Sequence, residues 1–475
     1  MASNHAQVVR SGSRTTHPSS SEYSRESSNE EDQARPFASL SPTPTHAIQQ
    51  TQGAPSPMLS LASGPSDVAA TPPGVSFTTD VSPTNQLSID AVANKAEKLR
   101  PRGTVTLKDR VACYQWTYFT MTMATGGMAN VLHSAYYQAG WIVAVGIFFC
   151  LLNIVLFLMN CILISVRFYI RPGSFINSFT DQVESLFIPA FFVSIAIILI
   201  NICQYGVRTC GDWLLQVLDV MFWVYISLGA VASAGLYLIL WTTLELPIHM
   251  MTPTWVFPAY PLLLSGPFAA NLIAASEVSG YHHSINRTAI AICAATTQGT
   301  GCLIAFMISA AFIYRLMTQK LPRDMQRPGV FISIGPFGFT AASIALLGSH
   351  AREIIPSQFL DTPIAADVIR VVSLLVALWL WGLSLWFFLV SVGSLWKYTR
   401  RQHKMPFQMT WWSFVFPNTG LVVATEVMGD NFKSQGLHIF GAIMTIILIV
   451  VWVGVFVKML YCLRTRKLLW PEDQV

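Results

Sequence analysis

Ten apolar stretches follow one another from Tyr114 almost to the C-terminal end, at roughly 114–133, 140–166, 184–204, 213–244, 254–277, 287–315, 328–349, 366–396, 407–428 and 435–463. Each has about 20 residues or more, the length that a ~30 Å hydrocarbon layer demands of a helix. The connections between them are short. With 53% hydrophobic residues, 11% charged residues and a mean hydropathy of +0.49, the chain is too apolar for a soluble protein of 475 residues. The fold class is therefore an all-α integral membrane protein with ten transmembrane helices.

The N-terminal part is of another kind. Residues 1–94 are rich in Ser, Thr, Pro and Gln, as in "SPTPTHAIQQTQGAPSP", and hold few large apolar residues from which to build a core. The expected organisation is a disordered, solvated cytoplasmic tail over 1–104, open to phosphorylation, then a ten-helix unit over 105–465 and a short tail over 466–475. The tail has no hydrophobic signal-peptide core, so the first membrane helix must itself direct insertion.

Basic residues alternate from one connection to the next. Lys95, Lys98, Arg100, Arg102, Lys108 and Arg110 precede the first span. Every second connection then carries more: Arg167 and Arg171, none in 245–253, then Arg315, Lys320, Arg323 and Arg327, then Lys397, Arg400, Arg401 and Lys404, then Lys458, Arg464, Arg466 and Lys467. That side holds twenty, against five on the other: Arg208, Arg287, Arg352, Arg370 and Lys433. The positive side faces the cytoplasm, which puts both termini there and requires an even number of spans. The single N-x-[ST] sequon, Asn286-Arg287-Thr288, falls on the opposite side, where Asn286 is a candidate glycosylation site.

Proline separates the spans into two kinds. Pro189 lies in the third, Pro258, Pro261 and Pro267 in the fifth, Pro336 in the seventh and Pro417 in the ninth, whereas the even spans have none and the first has Gly126-Gly127. Broken backbone at membrane depth is tolerated where protein or a water-filled cavity covers it. The pattern predicts five parallel helical hairpins, with the odd helices as an inner ring around a central pore and the even helices outside.

Four stretches carry a family resemblance: "FTMTMATGGMANVL" (119–132), "PTWVFPAYPLLLSGP" (253–267), "RPGVFISIGPFGFTA" (327–341) and "WWSFVFPNTGLVVATE" (411–426). Together they resemble the tellurite-resistance/dicarboxylate transporter family, and within it the fungal malate permeases, across nearly all of 105–465. The family is similar to the plant slow anion channels. The resemblance implies ten helices as five hairpins around a pore, a homotrimer in the lipid bilayer, small-anion substrates led by malate and related C4-dicarboxylates, and a multi-pass location, the plasma membrane being expected. It also implies that Phe416, directly before Pro417, projects into the pore and gates it. The residues agree, since a bulky ring near mid-span would exclude a hydrated anion until it moved aside, with Pro417 as part of the hinge.

The substrate path has no deep Lys or Arg in an odd helix. An anion would instead meet hydroxyls such as Thr120, Thr122, Thr125, Ser333, Thr340 and Thr419 and backbone N–H groups at Gly126, Gly335 and Gly338, with Pro336 also lining the path, unless those hydroxyls only bond back to their own helices. Glu426 and Glu277, toward the outer ends of the ninth and fifth helices, are candidates for proton coupling, and Asp219 is expected to be paired within the outer layer. His282-His283 lacks a third ligand at metal spacing, Cys203 and Cys210 flank one loop closely enough for a disulfide, and no nucleotide, metalloprotease or hydrolase motif occurs, so neither cofactor, metal nor nucleic acid is expected. Sulfite or other anion efflux, an anion channel, or export of an acidic secondary metabolite are the alternative transport readings. A receptor would not need five interrupted parallel helices, and an enzyme should show a polar cluster at one membrane face.

Overall fold

The computed structural model describes residues 105–278, 285–400 and 405–470, and all regular structure among them is helical. The expectations for the tail, for 471–475 and for His282-His283 lie outside the described residues. Ten α-helices have fourteen residues or more: α1 Phe119–Ser134, α2 Gly140–Ile170, α3 Pro189–Tyr205, α4 Asp212–Thr243, α5 Ser265–Val278, α6 Arg287–Gln319, α7 Ile334–Ser349, α8 Ala365–Ser394, α9 Phe416–Phe432 and α10 Gln435–Arg464.

Eight segments are long and apolar enough to cross a membrane. The two that fall short of the ten expected are α1 and α9, with 16 and 17 residues, or about 25 Å at 1.5 Å per residue. Both are preceded by 3₁₀ turns, Trp116–Tyr118 and Met409–Phe414, which extend them at a steeper rise. The same construction recurs elsewhere: 3₁₀ turns over Pro253–Ala259 lead toward α5 and over Asp324–Ser333 into α7. A short helix, Glu184–Phe187, precedes α3.

At α7 and α9 the interruption is thus a junction between a 3₁₀ and an α-helix, whereas α3 and α5 follow short α-helices, Glu184–Phe187 and Tyr260–Leu263, across a single-residue break. Pro189 and Pro417 occupy the first turn of α3 and α9, and Pro267 and Pro336 are third residues of α5 and α7. At these places a helix has no partner for its N–H groups anyway, and the fixed φ of proline suits the turn.

Burial divides the segments sharply. In the membrane windows that contain α3, α5 and α7, 72%, 94% and 83% of residues are buried, against 17% to 33% in α2, α4, α6, α8 and α10. Nearly all of α1 and α9 is buried too. The long helices bury one stripe only; in α2 it is Gly146, Phe149, Cys150, Asn153, Leu156, Asn160, Ile164 and Arg167, at helical spacing. The rest of α2 presents Ile147, Phe148, Leu151, Val155, Leu158 and Ile162 outward, an apolar surface suited to lipid. Trp141, Trp213, Trp241 and Trp396 are exposed near helix ends, where an interfacial indole belongs.

The buried helices touch one another in sequence: α1 packs on α3 and α9, α3 on α5, α5 on α7, and α7 on α9. Each long helix also packs on the buried helix before it. Side chains from the long helices satisfy polar groups of the buried ones. Asn160 donates to the Tyr118 carbonyl (3.1 Å) and Ser384 to the Ile334 carbonyl (2.9 Å). At one end, Arg167 and Glu184 form a buried ion pair, and the Glu184 carboxylate accepts the Trp116 N–H (3.3 Å). Losing one partner of such a pair strands a buried charge and costs ~3–5 kcal/mol.

Candidate functional site

Phe416 stands where the lead-in turn becomes α9, beside Val415 at φ −104°, ψ −64°. Its ring is 3% exposed and lies 5.1 Å from the Phe339 ring of α7 and 5.9 Å from that of Tyr260, in the approach to α5. Three buried segments therefore meet at one aromatic cluster. Sequence reasoning missed Tyr260. Pro336 has no N–H for the carbonyl four residues back, Ile332, and the Tyr260 hydroxyl donates to that oxygen instead (2.8 Å). The proline and the tyrosine compensate each other across two segments.

Glycine brings the backbones of α7 and α9 together at this point. A Cβ on Gly338 would stand 2.7 Å from the Leu421 nitrogen, and one on Gly420 would stand 3.0 Å from the Phe339 nitrogen. Gly335 lies against the Tyr260 hydroxyl and Pro417. Gly126 lies between Ile197 of α3 and Asn153 of α2, and its carbonyl accepts from Asn201 (3.1 Å).

The hydroxyls named from sequence are all buried and all donate back to their own segments. Thr120, Thr122, Thr125 and Thr340 bond to the carbonyls of Thr117, Phe119, Met121 and Pro336, while Ser333 and Thr419 bond to those of Val330 and Phe416. Several also hold a second partner: Thr122 meets Ser194 (2.7 Å), Thr125 accepts from Trp452 (3.3 Å) and Thr340 accepts from Gln298 (2.8 Å). Gln298, on α6, also takes the Gly266 N–H at the start of α5 (3.0 Å) and so ties α5 to α7. An amide within an uninterrupted apolar span was the signal that could have found it.

The carboxylates are partnered. Glu426 is 2% exposed and bonds to His438 Nδ1 of α10 (2.9 Å), whose ring stacks on Tyr136 and whose Nε2 is 3.6 Å from Asp430. Glu277 at the end of α5 meets His350 Nδ1 (2.9 Å), with Arg287 at 3.8 Å, and His350 also contacts Glu353 (3.0 Å). The hydrogen bond to Glu277 and the neighbouring His350 hold the Glu353 carboxyl below its ordinary range. Glu277, His350 and Glu353 offer ligand atoms within 4.8 Å of one another, the one metal-compatible group among the described residues. Asp219 takes a hydrogen bond from Trp223 one turn along its own helix. Asn286 is exposed and caps α6 through the Ala289 N–H (3.1 Å). Cys203 and Cys210 are both free, so the pairing that their spacing allowed is not formed: Cys203 is buried in α3 and Cys210 is exposed in the turn after it.

None of the five buried helices carries a Lys or Arg. An all-helical membrane protein whose buried helices hold no fixed cation and converge on an aromatic cluster is built to pass solutes, not to transform them. The chain belongs to the voltage-dependent anion channel (SLAC1) family, whose sequence profile matches residues 113–460. It is 24% identical to the malic acid transport protein of Schizosaccharomyces pombe, over 77% of this chain and 82% of that one. A second, putative malic acid transport protein of the same organism is 23% identical over 78% and 85%. A sulfite efflux pump of Trichophyton rubrum is 25% identical over 74% and 91%. The protein is a multi-pass membrane transporter of small anions and not an enzyme.

Proposed function

We propose that the protein carries malate and related C4-dicarboxylates through a pore enclosed by α1, α3, α5, α7 and α9, with ten crossings arranged as five hairpins and Phe416 as the gate. The carrying observation is the packing of the five buried helices, each against two others, with Phe416 wedged between Phe339 and Tyr260. Such an arrangement supports a ring closed at one level by aromatic side chains. A carboxylate crossing it meets no fixed cation, only hydroxyls, amides and the N-terminal ends of interrupted helices, which favours passage over capture. Malate leads because one relative is a malic acid transport protein and another is named as a putative one. Sulfite is the second reading, supported by the likeness to sulfite pumps.

The Glu426–His438 pair, buried at one end of α9, is the proposed proton-coupling group, with Glu277 as a second candidate. Both termini are proposed to be cytoplasmic, the plasma membrane the location and a homotrimer the assembly. The test is uptake of labelled malate and of sulfite into vesicles reconstituted with the full chain. Malate accumulation above protein-free vesicles is expected; sulfite flux without malate flux overturns the substrate reading.

A further inference from the structure

Two arginines are buried among the described residues, Arg167 and Arg315, each 4% exposed. Arg167 is neutralised by Glu184. Arg315, near the end of α6, has only carbonyl partners: Nη1 donates to the Lys320 carbonyl (2.9 Å) and Nη2 to the His249 carbonyl (3.0 Å). These bonds hold the guanidinium in place and leave a second N–H on each Nη. They do not neutralise its charge, and a cation taken out of water is stable only where an anion completes it.

Arg315 lines a cavity of about 220 Å³ together with His249, Gln319, Leu321, Arg323 and Gln326. No lining residue is acidic. Arg323 is exposed and forms no ion pair among the described residues, and the neighbouring Asp324 is held by Lys397 (2.7 Å). The lining comes from the end of α6, the 3₁₀ turn Ile248–Met250 after α4 and the connection toward α7, with no residue of α1, α3, α5, α7 or α9. The cavity is thus set apart from the proposed passage.

Its surroundings indicate the source of the anion. On α6, Tyr314 and Met317 are exposed, as are Leu321 and Ile248, so the apolar lipid-facing surface continues up to the residues that line the cavity. A basic pocket at the end of a lipid-facing helix lies at the level of the headgroups. We propose that this cavity binds the phosphomonoester headgroup of an anionic membrane lipid, with its oxygens between Arg315 and Arg323 and its acyl chains along Tyr314 and Met317. Such a headgroup brings up to two negative charges and three acceptor oxygens, which two guanidinium groups can share. The inference does not depend on which anion the protein carries.

The experiment follows thermal unfolding of the full chain in detergent while dioctanoyl phosphatidic acid is titrated. A saturable rise in melting temperature of several degrees is expected. Dioctanoyl phosphatidylcholine or inorganic phosphate at the same concentration should give no such rise. Arg323→Gln, a change at an exposed residue, should raise the half-saturating concentration of phosphatidic acid about tenfold, the loss of one charge-assisted contact. Arg464→Gln, exposed on α10 and outside the cavity, should leave it unchanged. An equal rise with phosphatidylcholine, or no rise with phosphatidic acid, overturns the site. An equal rise with inorganic phosphate overturns the lipid as its source. Indifference to Arg323→Gln, or an equal loss from Arg464→Gln, would reduce the effect to diffuse attraction and overturn the cavity as its seat.

Discussion

Phe416 is both the proposed plug and a packed ring, and the two roles give separable readouts. Its 3% exposure and two aromatic neighbours mean that Phe416→Ala removes buried surface, at ~3–5 kcal/mol, so the melting temperature should fall. If the ring also closes the passage, anion current in reconstituted bilayers should rise severalfold despite that loss. Phe414→Ala is the control, because Phe414 packs edge-on to Phe331 and lies outside the cluster. A less stable protein with unchanged current would leave Phe416 a core residue. Glu426 admits a similar separation. Glu426→Gln keeps a polar group beside His438 but removes the exchangeable proton. Malate uptake driven by a pH gradient should fall severalfold, while malate exchange without a gradient continues; equal loss of both would make the pair structural. Glu426 stood out in the sequence as a carboxylate in an apolar span. Its partner did not, because His438 lies on a long lipid-facing helix and only packing brings it to α9. Tyr260 and Gln298 were hidden for the same reason: hydrogen bonds across segments leave no local pattern.

Among the elements, the contrast between kinds of span was legible from proline, because only a segment shielded from lipid can carry broken backbone. What the break looks like was not legible. Proline signals a lost N–H, but whether that falls within a helix or at the start of a new one depends on the preceding turns, and 3₁₀ and α periods are too close to separate in an apolar run. The family motifs in turn marked where the close contacts would come, since Gly338 and Gly420 lie within them. Gly338→Val tests that crossing. Its Cβ would meet the Leu421 nitrogen at 2.7 Å, a backbone atom that cannot rotate away, so α7 and α9 must separate at ~1–3 kcal/mol or more. A clear fall in melting temperature is expected. Gly382→Val on α8 has nothing within 4 Å of the new Cβ and should change little beyond helix propensity. Similar losses at both positions would remove the crossing as a determinant of the fold.

For the whole molecule, orientation follows from the summed charge of the connections. The end that holds Arg110, Arg315, Arg327 and Lys397 carries most of the basic residues, whereas the opposite end gathers Glu277, Glu353, Glu426 and Asp430 around two histidines. The positive end is proposed to face the cytoplasm. Cys210 reports on this without any inserted tag. It is free and exposed in the turn between α3 and α4, on the acidic end, while Cys113, Cys150, Cys203, Cys302 and Cys462 are buried and Cys161 and Cys293 are partly so. A membrane-impermeant maleimide applied to intact cells should therefore label the chain once, and Cys210→Ser should abolish that labelling. After permeabilisation the unsubstituted chain should gain little further signal, since no cysteine among the described residues is exposed at the other end. Labelling of Cys210 only after permeabilisation would invert the proposed topology.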